Sequence, residues 1–321
     1  PHKQEQVFLV RLFHLYKDNK VMNAFPFLFN TFVFMKVLLT GANGGVGTVV
    51  CQAALHTEGI ELVPCSRQAL DVLDSRALAK ALLSHKPDYV INAAAFTHVD
   101  RAETEVEEAF RLNALCLKGM VDACNQVGAA LIHLSTDYVF DGEKKTPYTE
   151  EDKENPINMY GASKWAGEQV VLAYNLGTVV RTSWVYSLHS KNFLAAIPRL
   201  LRTKDEPLYV ENSQKNSPTF ALHLVEALLA LVKKNVRQGL YHYTNAGGGC
   251  TRYEFACHVR DRILEKEPGA RLVPVYPMEP VLQDPPGTAP RPLYSVMSPD
   301  KIAKQLGLTV PHWQEGIGFI I

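Results

Sequence analysis

The chain has 321 residues, 47% of them hydrophobic, enough to bury a large core as one big domain or two unequal lobes. Lys and Arg total 33 and so do Asp and Glu, a balance that gives no support for nucleic acid or an anionic membrane as partner. The six scattered cysteines form no Cys-x-x-Cys pair and the eleven histidines no His-Glu-x-x-His, which points to buried thiols in a reducing, cytoplasmic setting and calls for no metal.

Residues 1–34 differ in character from the rest of the chain. Val21–Met35 is nearly all apolar, but it is short and interrupted by Asn23, Pro26 and Asn30, which argues against stable membrane insertion. No small-residue cleavage site comes after it. A nucleotide-binding strand begins at once at Lys36, so residues 1–34 read as an atypical, appended extension, with a membrane or protein docking arm as the competing reading.

Met35–Leu39 is an apolar run, followed by a turn carrying Gly41, Asn43, Gly44, Gly45, Val46 and Gly47 and then a helix-compatible stretch. Strand, glycine turn and helix form the setting that a dinucleotide fingerprint requires. Gly41 permits the tight turn, Gly44 the approach of a diphosphate, and Gly47 close packing of helix on strand. The diphosphate then sits on the helix N-terminus, where free N–H groups and the dipole favour anions.

The second strand, Glu61–Pro64, ends near Ser66 and Arg67. A carboxylate at this point would hold a ribose 2′-hydroxyl, whereas Ser66 and Arg67 suit a 2′-phosphate. The reading therefore leans to NADPH and leaves NADH open, with Asp71 close by and Val72 completing the candidate cofactor set. Alternation continues through a helix at Leu78–Ser84, a strand at Tyr89–Ala94 and a long helix at Val106–Gly128. A strand at Leu131–Leu134, a helix at Gln169–Tyr174 and a strand at Gly177–Arg181 come next. This pattern predicts an α/β fold, a Rossmann-type doubly wound parallel sheet with its ligand site at the strand C-termini.

Two polar segments carry the candidate chemistry: Ser135–Phe140, leaving a strand end, and Met159–Lys164, entering a helix. Tyr160 and Lys164 are four apart and share one helical face. An ammonium beside the phenol lowers its pKa and prepares Tyr160 to exchange a proton with a carbonyl oxygen as hydride reaches the carbon. Thr136 is placed to donate a second hydrogen bond to the developing alkoxide.

From Met35 to Ile321 the chain resembles the dTDP-4-dehydrorhamnose reductase family of the extended short-chain dehydrogenase/reductase superfamily. The resemblance rests on Met35–Gly47, Asn92–Thr97 with Val99-Asp100, Ser135–Gly142, Pro147-Tyr148, Tyr160-Gly161, Arg181–Tyr186, Asn192-Phe193, Ser217–Thr219, Tyr253–Ala256, Arg291-Pro292 and Pro311–Trp313. It implies NAD(P)H-dependent reduction of a dTDP-linked 4-keto-6-deoxy sugar, dTDP-6-deoxy-L-lyxo-4-hexulose, to dTDP-L-rhamnose. Thr136, Tyr160 and Lys164 would be the catalytic set, Asn92, Ala93 and Ala94 would line the cofactor pocket, and Asp137, Tyr138, Trp184, Asn192 and Arg291 would face the sugar nucleotide. The superfamily also suggests a homodimer. Residues 35–186 would form most of the cofactor-binding domain and 187–321 mainly a substrate lobe, with some segments returning to the first. Ser187 and Asn216 stand where the family usually has glycine, and Gly45 where glutamine is common. The alternatives are another nucleotide sugar, an epimerase or dehydratase of the superfamily, or a regulatory subunit that keeps the fold.

The last third is irregular. Phe193–Leu201, Phe220–Lys234 and Tyr253–Glu267 read as helices, while Pro274–Pro292 holds seven prolines in nineteen residues and should be mostly irregular, lying over the other lobe.

Overall fold

The computed structural model describes residues 34–189, 192–278 and 287–321. The expectation for the N-terminal extension falls on residues 1–33 and lies outside them. Six parallel strands form the main sheet: β1 (Met35–Thr40), β2 (Ile60–Cys65), β3 (Tyr89–Asn92), β4 (Ala130–Thr136), β5 (Gly177–Thr182) and β9 (Gly239–His242). Their spatial order is β2-β1-β3-β4-β5-β9. The chain runs outward from β1 to β2, then crosses back to β3 on the other side of β1. The crevice between the carboxyl ends of β1 and β3 is therefore the switch point at which such sheets bind ligands.

Strands of this kind are buried on both faces and so are apolar at successive positions. Val37, Leu39, Tyr89, Ile91 and Ile132 pack on one side against helices Gly45–Ala54 and Ala221–Lys233. Leu38, Val90, Leu131 and Val179 pack on the other against Ser75–His85, Cys116–Val127 and Met159–Leu172. The doubly wound sheet expected from the sequence is present. A third apolar cluster, with Tyr186, Leu194, Phe220, Phe255, Val259 and Trp313, lies apart from both. Two small parallel pairs accompany it: β6 (Val185–Tyr186) with β8 (Thr219–Phe220), and β7 (Leu208–Val210) with β10 (Val275–Pro277). Strand β9 and helices Ala221–Lys233 and Asp300–Leu306 come late in sequence yet join the main sheet and its core.

Three local expectations change. The helix expected over Val106–Gly128 is broken by a π-helical turn at Arg111–Leu115, and the strand expected over Tyr89–Ala94 ends at Asn92. The π turn swings Asn113 inward, where its side chain accepts from Phe96 N at 2.8 Å and donates to Phe96 O at 3.0 Å and Ser163 Oγ at 2.9 Å. The third change concerns Gln169–Tyr174, which is not a separate helix. One helix runs from Met159 to Leu172, capped by Asn158, whose Oδ1 accepts from Gly161 N at 2.7 Å. Gly161 and Gly167 do not break it because both mark close packing. A Cβ would lie 2.1 Å from Tyr138 O at the first and 2.0 Å from Asn113 O at the second.

Within Pro274–Pro292 the structure includes β10, and residues 279–286 lie outside the described set. Its far end does lie over the main sheet's loops: Asn158 Nδ2 donates to Pro290 O at 2.8 Å. Among the described residues no helix is long and apolar enough to cross a membrane.

Asn113 satisfies both main-chain polar groups of Phe96, so Asn113→Ala should cost about 2–3 kcal/mol of unfolding free energy in urea titration. A loss below about 0.5 kcal/mol would show that another group replaces these bonds.

Candidate active site

The glycine turn sits in the switch-point crevice. Gly41 has φ +71°, and a Cβ there would come within 2.7 Å of the Ala93 carbonyl carbon and the Ala94 nitrogen. At Gly47 a Cβ would lie 2.2 Å from Gly41 O. Helix Gly45–Ala54 begins at Gly44 with no side-chain cap and no acidic residue in its first turn. Its first N–H groups and the positive end of its dipole are left for an anion. Asn43 lies in this turn, and Gly45 and Val46 open the helix. Asn92 is buried at the end of β3, and Ala93 and Ala94 follow it against Gly41. At the β2 end, Arg67 is 72% exposed and its Nε stands 3.9 Å from Asp71 Oδ2, a loose pair that leaves the guanidinium accessible. A cleft of about 490 Å³ lined by Val72, Ser75, Arg111, Leu115 and Gly119 opens beyond it.

Thr136 is the last residue of β4, and Tyr160 and Lys164 lie on the helix Met159–Leu172. Thr136 ends the strand and caps the 3₁₀ turn Asp137–Val139, its Oγ1 accepting from Tyr138 N at 3.2 Å and lying 3.1 Å from Asp137 Oδ1. The Tyr160 hydroxyl has the Thr136 hydroxyl as a neighbour, and the Tyr160 ring meets that of Tyr138 edge-on with centroids 6.0 Å apart. Burial pushes the Tyr160 phenol above its ordinary value and the nearby Asp137 charge adds to this, while the neighbouring Thr136 hydroxyl opposes it. The expectation that Lys164 lowers the Tyr160 pKa is therefore not met. The reason is geometric: Lys164 Nζ donates to Leu134 O at 2.7 Å and stands 3.2 Å from His133 Nε2. Burial in turn pushes Lys164 down to about 8, against weaker pulls upward from Glu168 and Cys116.

The five residues expected at the sugar are not all brought to one surface. Asp137 is 2% exposed, and its carboxylate accepts from Asn216 Nδ2 at 2.9 Å and from the Ser295 hydroxyl. It thus faces protein donors, not open space. Burial raises its pKa, with the bonds from Ser295, Asn216 and Thr136 opposing. Asn192 serves as a helix cap, accepting from Ala195 N at 3.1 Å and donating to Val185 O at 2.6 Å. Arg291 is gripped by Asp100 at 2.8 and 2.9 Å, with a further bond to Ala289 O at 2.9 Å. Burial alone would raise Asp100, but Ala289 N–H and Arg291 together hold it below the usual carboxylate range. Tyr138 and Trp184 remain together with a partner that sequence reasoning missed. The Arg252 guanidinium lies 4.8 Å from the Trp184 ring centroid, and its charge also acts on the Tyr138 phenol. Trp184 has φ +42°, a strained value for a bulky residue, and its indole N–H is buried without a hydrogen-bond partner.

His133, Asn113 and Arg252 were all missed. The first two interrupt otherwise apolar periodic runs, a signal that was legible. Arg252 gave none, since a basic residue at a helix start resembles any surface charge. Among the described residues no cluster of His, Cys, Asp or Glu could hold a metal ion.

A switch-point glycine turn, a helix N-terminus that no side chain caps and a Thr–Tyr–Lys group above β4 define a Rossmann-fold oxidoreductase of the NAD(P)-dependent class. The family model described as RmlD substrate binding domain matches residues 35–321, and the chain belongs to that family, the dTDP-4-dehydrorhamnose reductases. The chain is 34% identical to the spore coat polysaccharide biosynthesis protein SpsK of Bacillus subtilis, over 88% of this chain and 95% of the relative. It is 38% identical to the dTDP-4-dehydrorhamnose reductase of Mycolicibacterium smegmatis, over 88% and 84%. Among solved structures it is similar to the dTDP-4-dehydrorhamnose reductase of Bacillus anthracis in complex with NADP, with a TM-score of 0.79 and 31% identity, covering 88% of this chain and 97% of that one.

The depressed Lys164 value has a consequence for stability. Between about pH 8 and its ordinary 10.5, the unfolded chain holds a proton at Lys164 that the folded chain has released. The unfolding free energy of the wild type relative to Lys164→Met should therefore rise with pH across that window. A pH-independent difference would show that the folded state does not penalise the ammonium.

Proposed function

We propose that this chain reduces the 4-keto group of dTDP-4-dehydro-6-deoxy-L-mannose, the L-lyxo-4-hexulose, to give dTDP-L-rhamnose, with NADPH preferred to NADH. The observation that carries the reading is Thr136 at the last position of β4 with Tyr160 and the buried Lys164 one turn apart on the helix that covers it. The fit of a dinucleotide is supported by the glycine cradle, which no Cβ could share, and by the uncapped helix N-terminus. Residues 41–47 would hold the diphosphate, Asn92–Ala94 the nicotinamide side, Ser66 and Arg67 the 2′-phosphate, and Asp71 and Val72 the adenosine end. When bound, the reduced cofactor supplies the hydride that reaches C4.

The chain's own residues then handle the proton and the orientation. Tyr160, kept protonated by burial, donates its hydrogen to O4 as charge develops there. Thr136 exchanges its contact with Asp137 for a hydrogen bond to the same oxygen and so stabilises the alkoxide. Lys164 re-protonates Tyr160 indirectly and holds ribose hydroxyls. Trp184 and Tyr138 form the wall on which the sugar stacks. Residues 187–321 would contribute most of the sugar-nucleotide lobe, with Arg291 and Arg252 supplying positive charge towards the diphosphate.

The assay is loss of 340 nm absorbance with the keto sugar generated in a coupled reaction, with both cofactors compared. Tyr160→Phe should lower kcat by about a hundredfold or more while cofactor affinity stays within about threefold. Turnover near the wild-type level would reject the role given to Tyr160. Arg67→Ala should raise KM for NADPH about tenfold and leave KM for NADH nearly unchanged. Equal effects on both would remove the case for the 2′-phosphate.

A further inference from the structure

Thr40, Asn92 and His133 occupy directly paired positions on three neighbouring strands, Thr40 opposite Asn92 and Asn92 opposite His133. They share the sheet face covered by helix Met159–Leu172, and all three are buried with Lys164 beneath that helix. Thr40 Oγ1 donates to Asn92 Oδ1 at 2.6 Å, and the Ala94 main-chain N–H donates to the same atom at 3.2 Å. A backbone N–H is a donor in every protonation state, so it determines which end of the Asn92 amide is oxygen. The Asn92 nitrogen is then the atom facing His133 Nδ1 at 3.0 Å, and Nδ1 accepts. A neutral imidazole that accepts at Nδ1 carries its hydrogen on Nε2, and this hydrogen points at Lys164 Nζ, 3.2 Å away.

An ammonium has three donors and no acceptor, so it would oppose a second donor at that contact. An amine offers a lone pair. Protonating His133 instead is disfavoured, since burial and the neighbouring Lys164 hold it well below its ordinary value. The Leu134 carbonyl accepts from an amine as readily as from an ammonium. The other titratable groups facing Lys164 are Cys116, pushed up to about 11 by burial and so a neutral thiol, and Glu168, whose carboxylate is taken by Arg181 at 2.6 Å. Tyr160, on the same helix one turn before, is held neutral.

We infer that His133 is a positioning residue whose tautomer is coupled to the charge of Lys164: Nε2–H faces the neutral amine, and this state is favoured through Asn92 by the Ala94 N–H at the crevice. Charging Lys164 then requires Nδ1–H on His133 and a half-turn of the Asn92 amide, which sets its NH₂ against the Ala94 N–H. A backbone group at the cofactor crevice is thereby coupled to the charge of the lysine behind Tyr160. The functional meaning of this coupling rests on the role proposed above for Lys164, but the coupling itself does not.

The test is NMR of the full chain labelled with ¹⁵N-histidine and ¹³C,¹⁵N-lysine, titrated from about pH 6 to 10.5 and assigned with His133→Gln and Lys164→Met. Lys164 should lose its proton near pH 8, with His133 showing the Nε2–H tautomer above that pH and Nδ1–H below it. His133→Gln, whose amide oxygen can accept from Nζ, should move the Lys164 titration up by about one unit or more. A His133 tautomer that does not change across the Lys164 titration, a Lys164 titration at its ordinary value in the wild type, or one unmoved by His133→Gln would overturn the inference. The wild-type spectra decide the matter if the variant does not fold. Turnover is measured on the same samples. No reductase turnover with the expected tautomer and titration would uphold the coupling and reject the assigned reaction.

Discussion

The contact on which the rest of the structure depends is the approach of the Gly41 backbone to Ala93 and Ala94, across the carboxyl ends of β1 and β3. There is no room for a Cβ between them. That closeness makes β1 and β3 neighbours, sends β2 to the outside, and opens a crevice to which the first turn of helix Gly45–Ala54 presents its free N–H groups. The same segment positions the Ala94 N–H against Asn92, so the edge of the crevice and the buried polar row behind it are joined by one hydrogen bond.

Behind the crevice, the sheet face under helix Met159–Leu172 carries an unusual amount of buried charge. Arg181 and Glu168 are both fully buried, with Arg181 Nε 2.9 Å from Glu168 Oε1, and Glu154 reaches the same guanidinium from the preceding loop. Burying such groups is costly unless their hydrogen bonds are complete, and a pair that loses one member is strongly destabilised. These bonds tie the helix that carries Tyr160 and Lys164 to β5 and to the 141–158 segment. The helix can therefore neither slide nor rotate without leaving a charge unpaired.

Polar bonds also join the later part of the chain to the main sheet. Asp137 is held by Asn216 and Ser295, and Asp100 by Ala289 and Arg291. Asp137 lies in the turn that follows Thr136, and Asp100 in the short helix Val99–Ala102 beyond β3. Their partners come from segments remote in sequence, so the chain closes around the site through side chains that a reading of local pattern sees as separate.

The parallel α/β architecture, the glycine turn and the candidate Thr136, Tyr160 and Lys164 group were legible in the sequence, because periodic apolar runs and short-range spacing encode them. The helix breaks and mergers were not. Asn113 turns a continuous helical pattern into a π turn, and Gly161 and Gly167 look like breakers until the carbonyls packed against them are seen. Spacing put Lys164 on the face of Tyr160 but could not say that its nitrogen would meet Leu134 and His133. Nor could it say that Arg291 and Asp137 would be engaged by partners from distant segments. The sequence by itself determined which residues can do chemistry and on which element each lies, since both depend on side-chain type and period. Only the tertiary structure decided which donor meets which acceptor, because burial forces each polar group to find a partner wherever the fold brings one.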